Sequence, residues 1–335
     1  MGKVKLKDIA SASGLSVSTV SRILSGDNSR KNSDETIERV LKAARELGYS
    51  EKGSSFLSLS PSISLACIFV SDHESILSPF FAGILQGIRD EVEAEAKHRR
   101  IDFSLILADS DEGKASIANG KLDMAVILGR TSRSLLDFIA QHVPLTVYAG
   151  LNPVFVMDEV ICDVRQGMAE AVRLLRLRGG KNIGYIGPMN ANKELFNEHR
   201  YAGFRDGIDS LPFHIDNTAV DSYLTAAEGY EKTKYLLEDN VDSIVAANDI
   251  VATGVLIYLS DNNIRVPEDV QVTGFDNIES SAFLDPPLTT FCVQKEELGR
   301  FAVKTLIDRK DNPRDFNIRI TIPYQLIERD SVRRL

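Results

Sequence analysis

Four hydroxyl side chains and one guanidinium fall within seven residues: Ser16, Ser18, Thr19, Ser21 and Arg22, with the small apolar Val17 among them. Hydroxyls of this kind hydrogen-bond phosphate oxygens, and one Arg can grip O6 and N7 of a guanine through two parallel bonds. A second set of polar groups is spread along the chain: Asp163, Arg200, Asn248 and Asp276, with Phe80 as an aromatic companion. Carboxylates and amides offer paired hydrogen bonds to vicinal hydroxyls. An Arg donates to two oxygens at once, and an aromatic ring stacks on the apolar face of a sugar. Neither set is a catalytic constellation. The chain has no GxSxG, no Walker A pattern and no GxGxxG at its first strand-like run. Its five histidines show no H-x-x-x-H spacing, and Cys67, Cys162 and Cys292 are scattered without a CxxC. No enzyme activity, metal, cofactor or disulfide framework is expected.

The first set needs a helical support, and the local sequence supplies one. Leu6–Ser13 reads as a short helix closed by Gly14, a residue free to adopt positive φ. Ser16 reads as the N-cap of a second helix, Val17–Leu24, whose inner face is Val20, Ile23 and Leu24. The third helix starts at Ser33 with a capping sequence and carries Ile37, Val40, Leu41, Ala44 and Leu47 as its apolar stripe. Two short helices about a Gly-containing turn, with a third in support, is the helix-turn-helix plan. An ordinary solvated helical trio satisfies the same spacing.

Charge separates this head from the rest. The whole chain of 335 residues has a formal net charge of −9, which argues against a nucleic-acid partner when read in bulk. Residues 1–60, however, hold 10 Lys and Arg against 7 Asp and Glu, leaving 29 against 41 for the remainder. Such asymmetry points to a nucleic-acid-binding arm on a differently employed body. The chain begins MGKVKLKDIA, without the apolar stretch of a secretory signal. Its apolar runs, such as Leu65–Val70, are shorter than a membrane helix of ~20 residues. A cytoplasmic protein with no membrane partner is expected.

The body alternates strand-like and helical segments. Ile63–Val70, Phe103–Ala108, Met124–Leu128, Leu145–Tyr148, Asn182–Ile186, Ser243–Ala247 and Val270–Phe275 read as strands. Helical patterns run over Phe80–Ala94, Leu135–Gln141, Asp163–Leu177, Tyr201–Asp209, Thr225–Leu237 and Val251–Asp261. The alternation predicts an α/β fold of βαβ units with parallel sheets. So long a body predicts two similar lobes, with ligand bound outside the carboxyl ends of the strands, in the cleft between them.

Leu6-Lys-Asp-Ile-Ala-x-x-x-Gly14-Leu-Ser-x-x-Thr19-Val-Ser-Arg22-Ile-Leu, followed by Thr36-x-x-x-Val40-x-x-Ala43-x-x-x-Leu47-Gly-Tyr49, resembles the lac repressor/gal repressor family of bacterial transcription regulators. Further landmarks extend the resemblance over nearly the whole chain: Asp163-x-x-x-Gly167, Arg200-x-Ala-Gly-Phe204, Ala247-Asn248-Asp249, Gly274-Phe-Asp276, Asp285-Pro-Pro-Leu-Thr-Thr290 and Leu326-x-x-Arg329-x-Ser331. The resemblance implies a head at 1–52, a hinge at 53–62 and a periplasmic-binding-protein-like core at 63–335. Within the core it implies one lobe of about 63–162 and 295–322, and another of about 163–294 and 323–335. It implies that Val17, Ser18 and Arg22 read bases, that Ser16, Thr19 and Ser21 hold phosphates, and that Tyr49 supports the hinge. Leu57, with Leu59 behind it, is the candidate for a wedge in the minor groove. Arg200, Asn248 and Asp276 would line a sugar site, joined by Asp163, Phe80 and Tyr223.

The sequence departs from the family where a ligand would be chosen. Val293, followed by Gln294, stands where a Gln is usual; Gly179-Gly180 replaces a Gly-His pair; and the usual Asn-Ala-x-Ala-Arg-x-Leu hinge pattern is missing. The expected protein is a homodimeric repressor on a pseudo-palindromic operator, controlled by a small sugar or glycoside. A phosphocarrier coregulator, as in some relatives, is a further partner the resemblance allows. No heptad pattern ends the chain, which favours a dimer over a tetramer. The alternatives are a corepressor-dependent regulator with a non-sugar ligand and, less in keeping with the head, a sugar-binding receptor.

Overall fold

The computed structural model describes residues 4–25, 32–47, 49, 62–70, 78–130, 132–189, 199–212 and 214–334. The hinge wedge candidates Leu57 and Leu59 lie outside them.

The head consists of α1 (Leu6–Ser13), α2 (Val17–Ser25) and α3 (Asp34–Glu46). Gly14 ends α1 at φ 67°, ψ 28°, the left-handed conformation that its missing Cβ permits. Ile9 and Ala10 of α1, Val20, Ile23 and Leu24 of α2, and Val40, Leu41, Ala43 and Ala44 of α3 are buried against one another. Leu15, Ile37 and Tyr49 close the edges of this small core.

The body has two lobes. The first is a six-stranded sheet in the order β11-β5-β4-β3-β1-β2, parallel throughout. Its strands are β1 (Ile63–Phe69), β2 (Ile101–Leu107), β3 (Met124–Leu128), β4 (Leu145–Gly150), β5 (Asp158–Ile161) and β11 (Arg319–Thr321). Its helices are α4 (Pro79–Glu95), α5 (Asp111–Asn119), α6 (Arg133–His142) and α11 (Lys295–Asp311). All five residues of β3 are buried, as expected for a strand covered by helices on both faces. The second lobe is a parallel sheet in the order β7-β6-β8-β9: β6 (Asn182–Gly187), β7 (Asp216–Asp221), β8 (Ser243–Ala246) and β9 (Gln271–Thr273). It carries α7 (Val164–Leu177), α8 (His199–Asp209), α9 (Ala226–Glu238) and α10 (Asp249–Asp261). A short antiparallel pair, β10 (Thr290–Cys292) with β12 (Gln325–Ile327), joins them.

The chain passes between lobes three times among the described residues: after β5, between β10 and α11, and between β11 and β12. Phe275, Phe291 and Tyr324 meet at these passages, with ring centroids 5.6–6.1 Å apart. Asp158 is fully buried and pairs with Arg309 at 3.0 Å and Arg314 at 2.7 Å, which fastens the returning segment before β11 to the sheet. Gly180 and Gly184 are packing glycines: an added Cβ would press on Ser243 and on Val241 and Leu236.

The α4–α11 contact sets the geometry of the first lobe. An added Cβ at Gly87 would collide with the Glu296 carbonyl, and one at Gly299 with the Ile84 carbonyl. The two backbones therefore touch. Gly87→Ala should lower stability by about 1–3 kcal/mol, the usual range for overpacking a filled contact. Urea denaturation checks this; an unchanged midpoint would mean that the helices can separate at no cost.

Candidate functional site

In the head, Ser16 does two things at once. Its Oγ accepts the Thr19 amide at 3.1 Å, capping α2, and shares hydrogen bonds with Ser18 Oγ at 2.9 Å and Thr19 Oγ1 at 2.8 Å. The α2 face opposite the head's core carries Val17, 47% exposed, with exposed Ser18 and half-buried Ser21 and Arg22. Arg22 Nε reaches back to the Ser18 carbonyl at 3.4 Å, while its Nη groups have no hydrogen-bond partner among the described residues. A hydroxyl-lined helix start beside an open guanidinium fork suits phosphate and base edges.

In the body, a cleft of about 1270 Å³ lies between the lobes. Five of the six residues expected there line it: Phe80, Arg200, Tyr223, Asn248 and Asp276. Asp163 is not among the lining residues. It caps α7 instead, with its Oδ1 accepting the Gln166 amide at 3.0 Å. The same residue type at a helix start serves either purpose, and here the cap uses it.

Phe80 follows Ser78 and Pro79 at the start of α4 and is buried, edge-on to Phe81 at 5.1 Å. It is thus both core and cleft wall. Tyr223, 70% exposed, presents a ring from the second lobe. Arg200 is buried on α8, with Nε donating to the Ala247 carbonyl at 3.0 Å. Asn248 caps α10 through Oδ1, which accepts the Val251 amide at 2.9 Å.

Asp276 is the most constrained. It is buried, its φ is 109°, and Oδ1 has no partner among the described residues. Burial pushes its carboxyl up to about 7, with Arg200 and Lys295 opposing and Asp249 adding to the rise. Asp249 is likewise pushed to about 7 by burial, although its oxygens accept from Thr290 Oγ1 at 2.5 Å and the Ile278 amide at 2.8 Å.

Sequence reasoning missed Asp109, Arg130, Tyr148, Asn152 and Asp221, which also line the cleft. They stand in or just beyond the carboxyl ends of β2, β3, β4 and β7, so the rule that located Asn248 and Asp276 would have found them at every strand. Among the described residues no group of three or more His, Cys, Asp or Glu could hold a metal, and no helix is long and apolar enough to cross a membrane.

Residues 5–51 match the model of bacterial regulatory proteins of the lacI family, and residues 172–332 match a periplasmic binding protein-like domain. The chain thus joins a lacI-family regulatory head to a periplasmic-binding-protein-like body. The HTH-type transcriptional repressor MelR of Bacillus subtilis (strain 168) is 29% identical over 346 residues, covering 98% of this chain and 97% of MelR. The solved complex of the transcriptional regulator CelR with cellobiose is 24% identical at a TM-score of 0.68, covering 98% of this chain and all of that one. The lac repressor dimer bound to operator and the anti-inducer ONPF is 20% identical at a TM-score of 0.69, covering 98% and 99%. With this head and these relatives, the chain is a DNA-binding transcriptional repressor.

The raised carboxyls make stability pH-dependent. An unfolded Asp titrates near ~3.9, so between about 4 and 7 the native state holds protons that the unfolded state has lost. Stability should fall as pH rises through that window. Chemical denaturation at pH 5 and pH 8 should show the parent weaker at pH 8, with the difference reduced in Asp276→Asn. An equal difference in the variant would clear Asp276 of the effect.

Proposed function

We propose that this repressor works as a homodimer in the cytoplasm. Two heads read the half-sites of a pseudo-palindromic operator, and a small sugar or glycoside in the cleft releases them. The observation that carries the reading is the cleft itself. Carboxylate, amide and guanidinium groups converge there with Phe80 and Tyr223 rings, a donor–acceptor–stacking set suited to a neutral polyhydroxy ligand. The CelR–cellobiose complex and the operator-bound lac repressor dimer, both of this fold, support it.

In the head, Val17, Ser18 and Arg22 are assigned to bases, and Ser16, Thr19 and Ser21 to phosphates. In the cleft, Arg200, Asn248 and Asp276 bind ligand hydroxyls, with Phe80 and Tyr223 against its apolar face. The ligand acts by its unequal affinity for the lobe arrangements compatible and incompatible with operator binding.

Arg22→Ala should cost about 1–3 kcal/mol against the preferred operator, roughly fivefold to 150-fold in Kd. A mobility-shift titration giving parent affinity would remove Arg22 from base reading. A thermal-shift screen of mono- and disaccharides and their phosphates, cellobiose included, tests the effector. A ligand at 100 times its Kd should add about 2.7 kcal/mol of stability. The sugar that shifts the parent should also release its operator, and Asp276→Ala should lose both responses. A shift confined to non-carbohydrate compounds overturns the sugar reading.

A further inference from the structure

One side chain ties the turn that carries Asp276 to the other lobe. Lys295 opens α11, which packs on α4 and the first sheet. Its Nζ donates to the carbonyls of Asp276 at 2.6 Å, Asn277 at 3.4 Å and Val293 at 3.5 Å. An ammonium has three protons, and here three carbonyls converge on it. Two of them belong to consecutive residues with positive φ, Asp276 at 109° and Asn277 at 47°. Non-glycine residues enter this region rarely, and two in succession need external support.

The remaining support comes from the second lobe and its extension. Asp249 Oδ2 accepts the Ile278 amide at 2.8 Å, Arg329 Nη2 donates to Asn277 Oδ1 at 2.8 Å, and the Asp276 amide donates to the Phe291 carbonyl at 2.9 Å. Lys295 is therefore the support that arrives on a first-lobe helix. Its own Cβ faces Gly83 of α4, near enough that an added Cβ there would press on it at 2.9 Å.

We propose that Lys295 is a positioning residue for the effector: it fixes the turn that presents the Asp276 carboxylate to the cleft, and so couples that carboxylate to the position of the first lobe. The inference rests on the reading of Asp276 as an effector ligand. Any movement of α11 against the second sheet changes the bonds to the Asp276 and Asn277 carbonyls, and any change in the turn acts back on α11. Charge adds to the coupling. Four groups face the Asp276 carboxyl: Arg200 from α8, Asp249 from α10, the Cys162 thiol beyond β5, and Lys295 from α11. Arg200 and Lys295 favour the carboxylate form, and Asp249 opposes it.

The test uses the full-length chain with Lys295→Met, Lys295→Arg and Asp276→Asn, alone and combined. Without ligand, Lys295→Met should lower the thermal midpoint more at pH 8.5 than at pH 5.5, because only the ionised carboxylate loses a cation. That pH-dependent part should shrink in the Asp276→Asn background, the remainder being the charge that Lys295 lends Asp249, and Lys295→Arg should restore most of it. An equal loss at both pH values would reduce Lys295 to a generic prop and overturn the proposal. With a sugar that shifts the parent, Lys295→Met should weaken binding at pH 7.5 at least tenfold, and parent affinity overturns the proposal equally. If no sugar, cellobiose included, binds the parent, the sugar reading fails by itself and the ligand-free arm still decides the Lys295–Asp276 link. Should Lys295→Met not fold, Lys295→Gln carries the same comparison.

Discussion

The Asp276 turn is the point on which the cleft depends. A non-glycine φ of 109° costs roughly 1–3 kcal/mol, and burying a carboxylate costs more unless it is paired. Neither cost is recovered locally. Asp249 clamps the Ile278 amide two residues on, Arg329 holds Asn277 and the Leu288 carbonyl, and Thr290 fills the other Asp249 oxygen. Beneath them lies an apolar layer of Val251, Val255, Val272 and Leu288, which supplies the burial that such polar constraints draw upon. A group kept in a high-energy setting gains more from a new hydrogen-bonding partner than one already content in water, which suits Asp276 to the ligand role proposed for it.

The head answers to different physics. Its core is a few aliphatic side chains, and its surface is small, hydroxylated and locally basic, as phosphate recognition requires. The body, with 41 acidic against 29 basic residues beyond residue 60, has no such use for DNA. Its polar groups gather instead at the carboxyl ends of parallel strands, where α/β sheets leave backbone and side chains free. Separate charge balances let each part keep its own optimum.

Much of this was legible from residue pattern alone. The head's helices show 3.6-residue periodicity with caps at Ser16 and Ser33, and the structure moves their ends by a residue or so. Long strands such as β1 and β3 announce themselves as apolar runs. The strands that escaped notice, β5, β7, β10, β11 and β12, are short or, like β7, half-exposed edges without alternation. In the cleft, Asn248 and Asp276 could be found because side-chain type and strand-end position agree, and Arg200, at the start of α8, through the family pattern around it. Asp163 caps α7 and is not among the cleft-lining residues, since capping and ligand binding ask for the same carboxylate. Lys295 could not be found at all: its partners are carbonyls up to 19 residues away, and a carbonyl has no signature in a sequence.

The glycine contact between α4 and α11 has a mechanical consequence. Each helix has 17 residues, about 25 Å of rod, and where backbones touch there is no side-chain cushion to absorb a shift. At one end of the pair stand Phe80 and Lys295, beside the cleft. At the other, Arg99 just beyond α4 bridges Asp311 of α11 at 2.9 Å, and Arg100 accepts through its carbonyl the amide of Ile63, the first residue of the first sheet. The pair is a lever arm. It runs unbroken from the cleft to Ile63, where the chain enters the body.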